Sequence, residues 1–349
     1  MSPLSTFAMA ALYKKLQVVK LTADFRKAVQ VVKVPLTPPA AGQVLVKNHY
    51  AGVNATDVNM SAGRYFTDGK LPFDIGLEGL GIVDEVGTGV TSVTKGQPVL
   101  VFAIGSSGYS EYIYAKADQV FPVPDVKPEY LVTLVNGLTA AIGMDEAGKI
   151  KSGDKVLVTA AAGGTGQVAV QWAKLKGCHV IGTTSSDEKA DFLKSIGVDH
   201  VINYKKEDLG EALTRDYPDG VDVVWETIGG KTLEVLFAHM AVKGRLIVIG
   251  GITGYKDDGF PNVNIQHWPA KLLMNSMSVT GFLLTHYADL FPKYWKELME
   301  AIAGGNIKLR VDQGEKTADG VFNGIDDSVR AVEHLHSGKN EGKVVVKIQ

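Results

Sequence analysis

The chain has 349 residues, which at roughly 150 residues per domain predicts about two domains. Hydrophobic residues make up 45% of it and charged residues 21%, so the composition excludes wholesale disorder and leaves ample apolar mass for a core. The net charge of −2 gives no electrostatic case for binding nucleic acid or an anionic membrane surface. No apolar run approaches the roughly 18 residues that a membrane-spanning helix needs.

Cys178 is the single cysteine of the sequence. One cysteine cannot form an intramolecular disulfide or a four-thiolate zinc site, which favours a reducing compartment. Residues 1–12 carry no charge, so they are a poor secretory signal and a weak mitochondrial leader. We therefore expect a cytoplasmic protein, with the peroxisome and the mitochondrion left open.

Residues 14 to 128 have the character of strands and turns. Short apolar runs at 44–47, 81–87 and 99–102 predict strands bounded by glycine or proline. Eight of the 13 prolines fall in this stretch, and proline avoids helix interiors and central strands. The segment is therefore predicted to be loop-rich β structure.

Predicted strands and helices alternate from 129 to 307. The strands are 155–159, 180–183, 201–202, 221–225, 245–249 and 277–282, and the helices are 164–176, 187–196, 231–241 and 290–303. Val168, Val170, Trp172 and Leu175 are expected to form the apolar side of the first helix. This alternation predicts an α/β fold with a parallel sheet and right-handed crossovers. The tail returns to mixed character and ends in a strand at 343–346, so residues 1–128 and 308–349 are predicted to form a β domain interrupted by an inserted α/β domain at 129–307.

A Gly-rich turn at 159–166 follows the first strand of the predicted insert and opens its first helix. In the pattern G-x-G-x-x-G, Ala161 takes the first position, and Gly163 and Gly166 take the other two. Such a turn brings backbone close to a pyrophosphate at a helix N-terminus. Taken alone, the Gly-rich turn could merely connect a strand to a helix, but the strand–helix–strand context favours a dinucleotide site. Its candidate binding residues are Gly163, Gly164, Thr165 and Gly166.

The end of the next strand suggests which dinucleotide binds. A NAD site usually has an acidic residue about 20 residues past the last glycine, whereas here the strand ends in hydroxyls, Ser185 and Ser186 among them, followed by Lys189. Hydroxyls and a cation suit a 2′-phosphate, so we expect NADPH rather than NADH. The alternative is that Ser185 and Glu188 form a capping box and Lys189 is a solvated helix residue.

Other chemistries lack their motifs in this sequence. The eight histidines form no H-E-x-x-H pattern, and with one thiol no zinc ligand set suggests itself. No G-x-S-x-G nucleophile turn and no Walker loop follow the strands. We expect no metal site.

The chain from about Leu16 onward resembles the medium-chain dehydrogenase/reductases. Residues 51–59 and 63–65 are similar to the zinc-free quinone and enoyl reductase branches, and residues 137–140 match the helix that begins the cofactor domain in these relatives. Asn54 lies near the position of a zinc-ligating cysteine, and Leu77 stands where the zinc enzymes have histidine. The resemblance implies a Rossmann-like cofactor domain inserted in a GroES-like β domain, without zinc.

Five further motifs, at 185–189, 203–205, 250–255, 281–283 and 338–343, look like the prostaglandin reductases of that family. The resemblance implies that Thr165, Ser185, Lys189 and Tyr204 hold the phosphates of NADPH. Thr227 and Ile249 would line the adenosine and ribose. The residues that would flank the nicotinamide are Tyr255, Phe282, Leu283, Leu284 and Asn340, although Phe282 and Leu283 could equally be core or dimer-strand residues.

The resemblance implies hydride transfer from NADPH to the β-carbon of an α,β-unsaturated ketone such as a 15-oxoprostaglandin. Catalysis then needs donors aimed at the carbonyl oxygen, where charge builds. Tyr255 is the first candidate donor and Tyr65 the second, and Asn54 would orient cofactor or substrate. Quinone reduction in the same fold is the alternative reaction, and an NADPH-binding protein without turnover is the alternative of another class.

The last strand of the insert, at 277–282, is short and β-prone. In the relatives this strand pairs edge to edge with its copy, and an uncovered edge needs a partner. We therefore expect a homodimer, with a small-molecule substrate as the only other partner.

Overall fold

The computed structural model describes residues 11–349. The expectation of a weak leader at residues 1–12 falls almost entirely on residues that lie outside this range. No helix within it is long and apolar enough to cross a membrane.

The elements are numbered in chain order. The first part contains β1 (Leu12–Val18), α1 (Phe25–Ala28), β2 (Val29–Pro35), β3 (Gln43–Gly52), α2 (Thr56–Ser61), β4 (Phe73–Asp74), β5 (Glu78–Val86), β6 (Pro98–Phe102), β7 (Tyr112–Lys116) and β8 (Val120–Pro122). The middle contains α3 (Leu138–Ile142), β9 (Lys155–Val158), α4 (Gly164–Leu175), β10 (His179–Thr184), α5 (Asp187–Ser195), β11 (His200–Asn203), α6 (Leu209–Asp216), β12 (Val221–Glu226), α7 (Gly230–Ala238), β13 (Met240–Val248), α8 (Trp268–Asn275), β14 (Ser278–Gly281) and α9 (Phe291–Ala303). The tail contains β15 (Val311–Asp312), α10 (Ser328–His336) and β16 (Lys343–Lys347).

The middle part forms one parallel sheet in the order β11-β10-β9-β12-β13-β14. Val156, Leu157 and Val158 of the central strand β9 are fully buried, as expected for a parallel strand covered on both faces. The chain adds β10 and β11 on one side of β9, and then β12, β13 and β14 on its other side. The strand order therefore reverses between β9 and β12, and a crevice opens at the carboxyl ends of these two strands. This order confirms the predicted Rossmann-like fold.

The first part and the tail share a second sheet, in the order β15-β16-β3-β5-β6-β8, with β7 also paired to β3. Strand β16 runs antiparallel to β3, with Val345 opposite Gly52. A smaller sheet, β2-β1-β4, lies beside it. The GroES-like β part is therefore completed by the tail, and we propose 128/129 and 307/308 as its boundaries with the insert.

Helix α4 packs its middle against the parallel sheet. Val168, Val170 and Trp172 are buried, as predicted. Leu175 is 46% exposed, so its assignment to the apolar side was wrong. It is the last residue of the helix, which ends where the chain turns back toward the sheet.

Candidate active site

A cleft of about 960 Å³ lies at the carboxyl ends of the parallel strands and is lined by residues of both parts of the chain. Fifteen predicted site residues line it: Asn54, Gly163, Gly164, Thr165, Gly166, Ser185, Lys189, Tyr204, Thr227, Ile249, Tyr255, Phe282, Leu283, Leu284 and Asn340. Two predicted residues, Tyr65 and Ser186, do not line it. Most of the predicted site residues, although far apart in the chain, therefore lie around one cleft.

The Gly-rich turn is shaped by close backbone contacts. A Cβ at Gly166 would clash with the carbonyl oxygen of Ala160, so only glycine lets α4 start this close to the turn. Ala161 is fully buried where the fingerprint has glycine. Its methyl group faces Gly182 of β10, where an added Cβ would lie 3.1 Å away. The missing side chain at Gly182 thus makes room for alanine in the motif.

Two hydrogen bonds from residues outside the Gly-rich turn also hold it in place. The side chain of Asn136, just before α3, donates from Nδ2 to Thr165 Oγ1 at 2.7 Å. The amide of Gly342 in the tail donates to the carbonyl oxygen of Ala162 at 2.8 Å. Thr165 keeps its own hydroxyl hydrogen for an acceptor in the cleft, because Asn136 supplies the hydrogen of their bond. Sequence reasoning missed Asn136, which no local motif marks.

The start of α5 differs from the capping box that the sequence left open as an alternative. Ser186, not Ser185, is the N-cap: its hydroxyl accepts from the amide of Lys189 at 3.3 Å. Ser186 is therefore turned toward the helix, whereas Ser185 remains in the cleft wall. The carboxylate of Glu188 pairs with Lys316 at 3.1 Å rather than with the cap.

Lys189 extends from α5 along the cleft wall to the tail. Its Nζ donates to the carbonyl oxygen of Gly338 at 2.7 Å, and burial lowers its pKa. The acidic neighbours are paired elsewhere, since Asp187 contacts Lys206 at 2.6 Å and Glu188 contacts Lys316. The cleft therefore presents a partly desolvated cation whose adjacent carboxylates are already compensated.

The carboxyl ends of β9 and β12 are tied together at the crevice. Thr159 Oγ1 accepts from the amide of Thr227 at 2.9 Å and lies 3.0 Å from its hydroxyl. Ile249 follows β13 in the same wall, and Tyr204, about half exposed, follows β11. These residues form the rim of the crevice at successive strand ends.

Tyr255 is buried in the cleft wall, and burial raises the pKa of its phenol to about 12. Its hydroxyl oxygen accepts from the amide of Gly251 at 3.2 Å. Among residues 11–349 no group accepts its hydrogen, so the phenol is a protonated donor with its hydrogen uncommitted.

Tyr65 is not among the residues that line the cleft. It packs in the same apolar cluster as Tyr255 and against the ring of Phe66, which does line the cleft. Arg64 joins the two tyrosine segments, donating to the carbonyl oxygen of Tyr255 at 2.9 Å and to that of Asp257. Burial raises the pKa of Tyr65, so it too stays protonated.

Phe282, Leu283 and Leu284 follow β14 and form an apolar wall. Phe282 and Leu284 are buried in the core, and the Phe282 ring stacks on Tyr287 at 4.8 Å. Leu283 is more exposed, and Asn340 turns inward to donate to the carbonyl oxygen of Gly342 at 3.0 Å. The sequence left open whether Phe282 belongs to the core or to the cleft. In the structure its side chain is part of the core and also lines the cleft.

Asn54 lies at the cleft floor within a buried polar network. Its Oδ1 accepts from Lys343 Nζ at 2.7 Å, and its Nδ2 donates to Glu78 Oε1 at 3.0 Å. Its backbone amide donates to Asp57, which also accepts from the hydroxyl of Tyr109 at 2.6 Å. The network was not predicted, because its members come from four distant segments. Within residues 11–349 no group of three or more His, Cys, Asp or Glu side chains is arranged to hold a metal ion.

Comparison with known protein families agrees with this architecture. Residues 40–125 match the alcohol dehydrogenase GroES-like domain, and residues 164–304 match the zinc-binding dehydrogenase model. The chain belongs to the medium-chain dehydrogenase/reductase family that these two domains define.

Individual relatives cover nearly the whole chain. It is 46% identical to prostaglandin reductase-3 of Mus musculus, over 96% of this chain and 89% of that protein. It is also 46% identical to a probable quinone oxidoreductase of Leishmania amazonensis, over 97% of this chain and 98% of that protein. Among solved structures, a mycobacterial protein complexed with NADPH superposes with a TM-score of 0.82 at 30% identity, covering 96% of this chain and 99% of its own.

Proposed function

We propose that the protein is an NADPH-dependent reductase that saturates the C=C bond of α,β-unsaturated ketones, including 15-oxoprostaglandin-like enones. The observation that carries the proposal is the cleft itself. It joins a Gly-rich turn at the crevice between β9 and β12 to a protonated, uncommitted phenol on Tyr255. The identity to prostaglandin reductase-3 supports the same substrate class.

The residues present fit NADPH. The contact of Gly166 with the backbone of the turn lets α4 begin directly at the cleft, where its N-terminus would face a pyrophosphate, and the hydroxyl of Thr165 retains a hydrogen to donate. Lys189, Ser185 and Tyr204 would hold the 2′-phosphate, since a partly desolvated ammonium favours an anion strongly. When bound, NADPH supplies the hydride.

The protein's own contribution to the chemistry is a donor and an apolar wall. As the β-carbon of the substrate is reduced, negative charge develops on its carbonyl oxygen, and the hydroxyl of Tyr255 would donate to that oxygen. Phe282, Leu283 and Leu284 would exclude water from the nicotinamide side. The resulting enolate then takes a proton from solvent at its α-carbon, which gives the saturated ketone.

We propose that this chemistry does not use zinc. Leu77 takes a position where the zinc enzymes have a ligand, and the neighbouring carboxylate of Glu78 is already paired with the ammonium of Lys343 at 2.5 Å. A carboxylate whose charge is compensated in this way has little to offer a second cation.

We also propose that the protein is a homodimer formed through β14. This strand is the edge of the parallel sheet and is mostly exposed. The preceding helix α8 exposes Leu273 and Met274, which are 81% and 82% accessible. Side chains of this kind beside an open strand edge favour pairing with another copy.

Steady-state NADPH oxidation tests the function directly. We expect turnover with a 15-oxoprostaglandin or a simple enone, with the saturated ketone as product and no dependence on added or chelated zinc. An allylic alcohol as the main product would contradict the proposal.

Quinone reduction is the second candidate, favoured by the identity to the Leishmania quinone oxidoreductase. Faster turnover with a quinone than with any enone would select it. NADPH binding without oxidation by either acceptor would instead indicate a binding protein without turnover.

A further inference from the structure

The cleft floor contains a buried ion pair to which the proposed reaction assigns no part. The side chains of Lys343 and Glu78 are 1% and 0% exposed, and Lys343 Nζ lies 2.5 Å from Glu78 Oε1. Asn54 bonds to both partners and closes a triangle that joins the start of β16, the start of β5 and the residue pair after β3. Lys343 and Asn54 both line the cleft, so the triangle forms part of its wall.

The backbone is shaped around this pair. A Cβ at Gly52 would lie 2.5 Å from Glu78 Oε1, so glycine is required where the carboxylate enters. The amide of Val135 donates to the other oxygen, Oε2, at 3.3 Å. The stem of Lys343 passes under the Gly-rich turn, 3.3 Å from where a Cβ on Gly164 would lie. Buried ion pairs of this kind seldom add net stability over apolar residues, so a role besides stability fits it better.

The two charges allow only one orientation of the Asn54 carboxamide. An ammonium only donates hydrogen bonds and a carboxylate only accepts them, so the amide oxygen must face Lys343 and the amide nitrogen must face Glu78. Turning the amide by 180° would place its NH₂ group against the Lys343 ammonium and its oxygen against the Glu78 carboxylate, and neither contact could be a hydrogen bond. Groups that both donate and accept, such as a hydroxyl or a glutamine amide, would not fix the orientation in this way.

The orientation leaves one hydrogen of Asn54 Nδ2 without a strong acceptor. Glu78 takes the first hydrogen, and the nearest acceptor for the second, the carbonyl oxygen of Gly52, is 3.4 Å away. That distance is too long for a good N–H···O bond. The second hydrogen of Asn54 Nδ2 and the third hydrogen of the Lys343 ammonium, which gives its other two to Asn54 and Glu78, are thus the two donors that the triangle can offer to a molecule in the cleft.

We infer that Lys343 and Glu78 are positioning residues that hold the Asn54 amide so that its second N–H donates to a carbonyl oxygen bound in the cleft. The inference deepens the proposed function and rests on it for the identity of that carbonyl. Two sources share this chemistry: the carboxamide of the nicotinamide and the ketone of the substrate. Neither Lys343 nor Glu78 touches the reacting atoms in this arrangement, and both act through Asn54.

The test compares Lys343→Met and Glu78→Gln with the variant that carries both. Each single change leaves one buried charge without its partner, so the melting temperature should fall. The double variant should recover part of that loss, because no charge is left alone. Its binding or turnover should nevertheless stay about tenfold below the wild type, since one hydrogen bond is lost when the amide is no longer held.

The side-chain resonances of Asn54 report the orientation without cofactor or substrate. In ¹⁵N-labelled protein, the pair of Nδ2 signals is assigned by its loss in Asn54→Ser. We expect the signals to shift and broaden in the double variant. Unchanged signals would overturn the inference, whatever reaction the protein catalyses.

Ligand measurements then separate the two sources. If the carboxamide is the acceptor, the double variant binds NADPH about tenfold more weakly and binds 2′-phospho-ADP-ribose, which lacks the nicotinamide, as the wild type does. If the ketone is the acceptor, NADPH binding is unchanged and kcat with an enone falls more than KM rises. Wild-type values in both measurements would overturn the inference, whereas failure of the wild type to reduce any enone would overturn only the proposed function.

A second, largely buried ion pair provides the control. Arg245 of β13 and Asp154, the residue before β9, lie 2.7 Å apart, and neither lines the cleft. The double variant Arg245→Met with Asp154→Asn should change stability and leave turnover and the Asn54 signals as they are.

Discussion

Tyr255 has neighbours that decide what its hydroxyl can do. Gly251 supplies a hydrogen to the phenol oxygen, which leaves the phenol's own hydrogen to be donated. Burial raises its pKa to about 12, so the group stays protonated at every pH at which the protein would work. Tyr65 has the same chemistry but does not line the cleft, although its ring packs against Phe66, which does.

Tyr255→Phe should lower kcat about tenfold and raise KM less. The lost hydrogen bond is expected to strengthen as charge builds on the carbonyl oxygen, so its loss falls on the transition state. Steady-state kinetics with an enone measures both constants. Tyr217→Phe is the control, because it removes a buried hydroxyl that bonds His179 at 2.8 Å outside the cleft. Unchanged turnover in Tyr255→Phe would transfer the donor role to Tyr65.

Lys189→Ala should weaken NADPH binding and leave NADH binding nearly unchanged. A charge-assisted hydrogen bond contributes roughly 1.5–3 kcal/mol, which is on the order of tenfold to a hundredfold in affinity, and only NADPH carries the phosphate that would accept it. Quenching of intrinsic fluorescence measures both dissociation constants.

Lys194→Ala is the control for that experiment. It removes the same charge from the exposed end of the same helix, where the Lys194 ammonium lies 3.7 Å from Asp191. Equal losses for both cofactors in Lys189→Ala would mean that Lys189 acts through its contact with Gly338, and the preference for NADPH would lose its main support.

At the scale of elements, α2 and the end of α10 carry two buried groups whose titrations oppose each other. Burial raises the pKa of Asp57 in α2 to about 6. Burial also lowers the pKa of His336, the last residue of α10, to about 4. The folded state holds the proton of Asp57 more tightly than the unfolded chain does, so this group lowers stability as the pH rises from about 4 to 6. His336 stays neutral when folded, so its contribution is complete above about 6.5 and is lost as the pH falls toward 4.

Asp57→Asn should therefore gain stability relative to the wild type as the pH rises. A shift from 3.8 to about 6 corresponds to about 3 kcal/mol at pH 7.5, and most of it is absent near pH 4. Denaturant unfolding of both proteins at pH 4 and 7.5 measures the difference. Asp191→Asn, at an exposed position of α5, serves as the control. A difference that does not change with pH would contradict the assignment.

His336→Gln should have the opposite effect in the same series. Without a group that must be kept neutral, the variant should lose less stability than the wild type between pH 6.5 and 4. In the wild type the two groups partly cancel, so its own stability should vary less with pH across this window than that of either variant.

The elements also show what the sequence could predict. The alternation from β9 to β14 was predictable because each strand is a short apolar run and the crossover helices α4, α5 and α7 have a helical period. The Gly-rich turn and the strand-end hydroxyls were predictable for the same reason, since their signals are local. The crossover helices α6 and α8 were missed. The hairpin β1–β2, helix α10 and the Lys343–Glu78 pair were missed. A lysine in a run of valines looks like an edge residue until a carboxylate 265 positions away is known to meet it, and only the folded topology provides that information.

At the scale of the whole molecule, the parallel sheet ends at β14 with one side unpaired. Strand β13 covers its other side, and Val279 is among its exposed residues. Twofold pairing of β14 with its copy would extend the sheet across two protomers and cover Leu273 and Met274 of α8. The edge is short, so the apolar side chains around it must contribute much of the association.

Light scattering at micromolar concentration should therefore give twice the chain mass of 37.3 kDa. Leu273→Asp with Met274→Asp should shift the equilibrium toward monomer, because two charges would have to be desolvated in the interface. Since neither residue lines the cleft, NADPH binding by the monomer should be retained. Asp substitutions at Val242 and Val321, which are exposed apolar residues outside β14 and α8, provide the control and should leave the mass unchanged. A wild-type mass of 37.3 kDa at this concentration would overturn the dimer, and an unchanged dimer in the α8 variant would place the interface elsewhere.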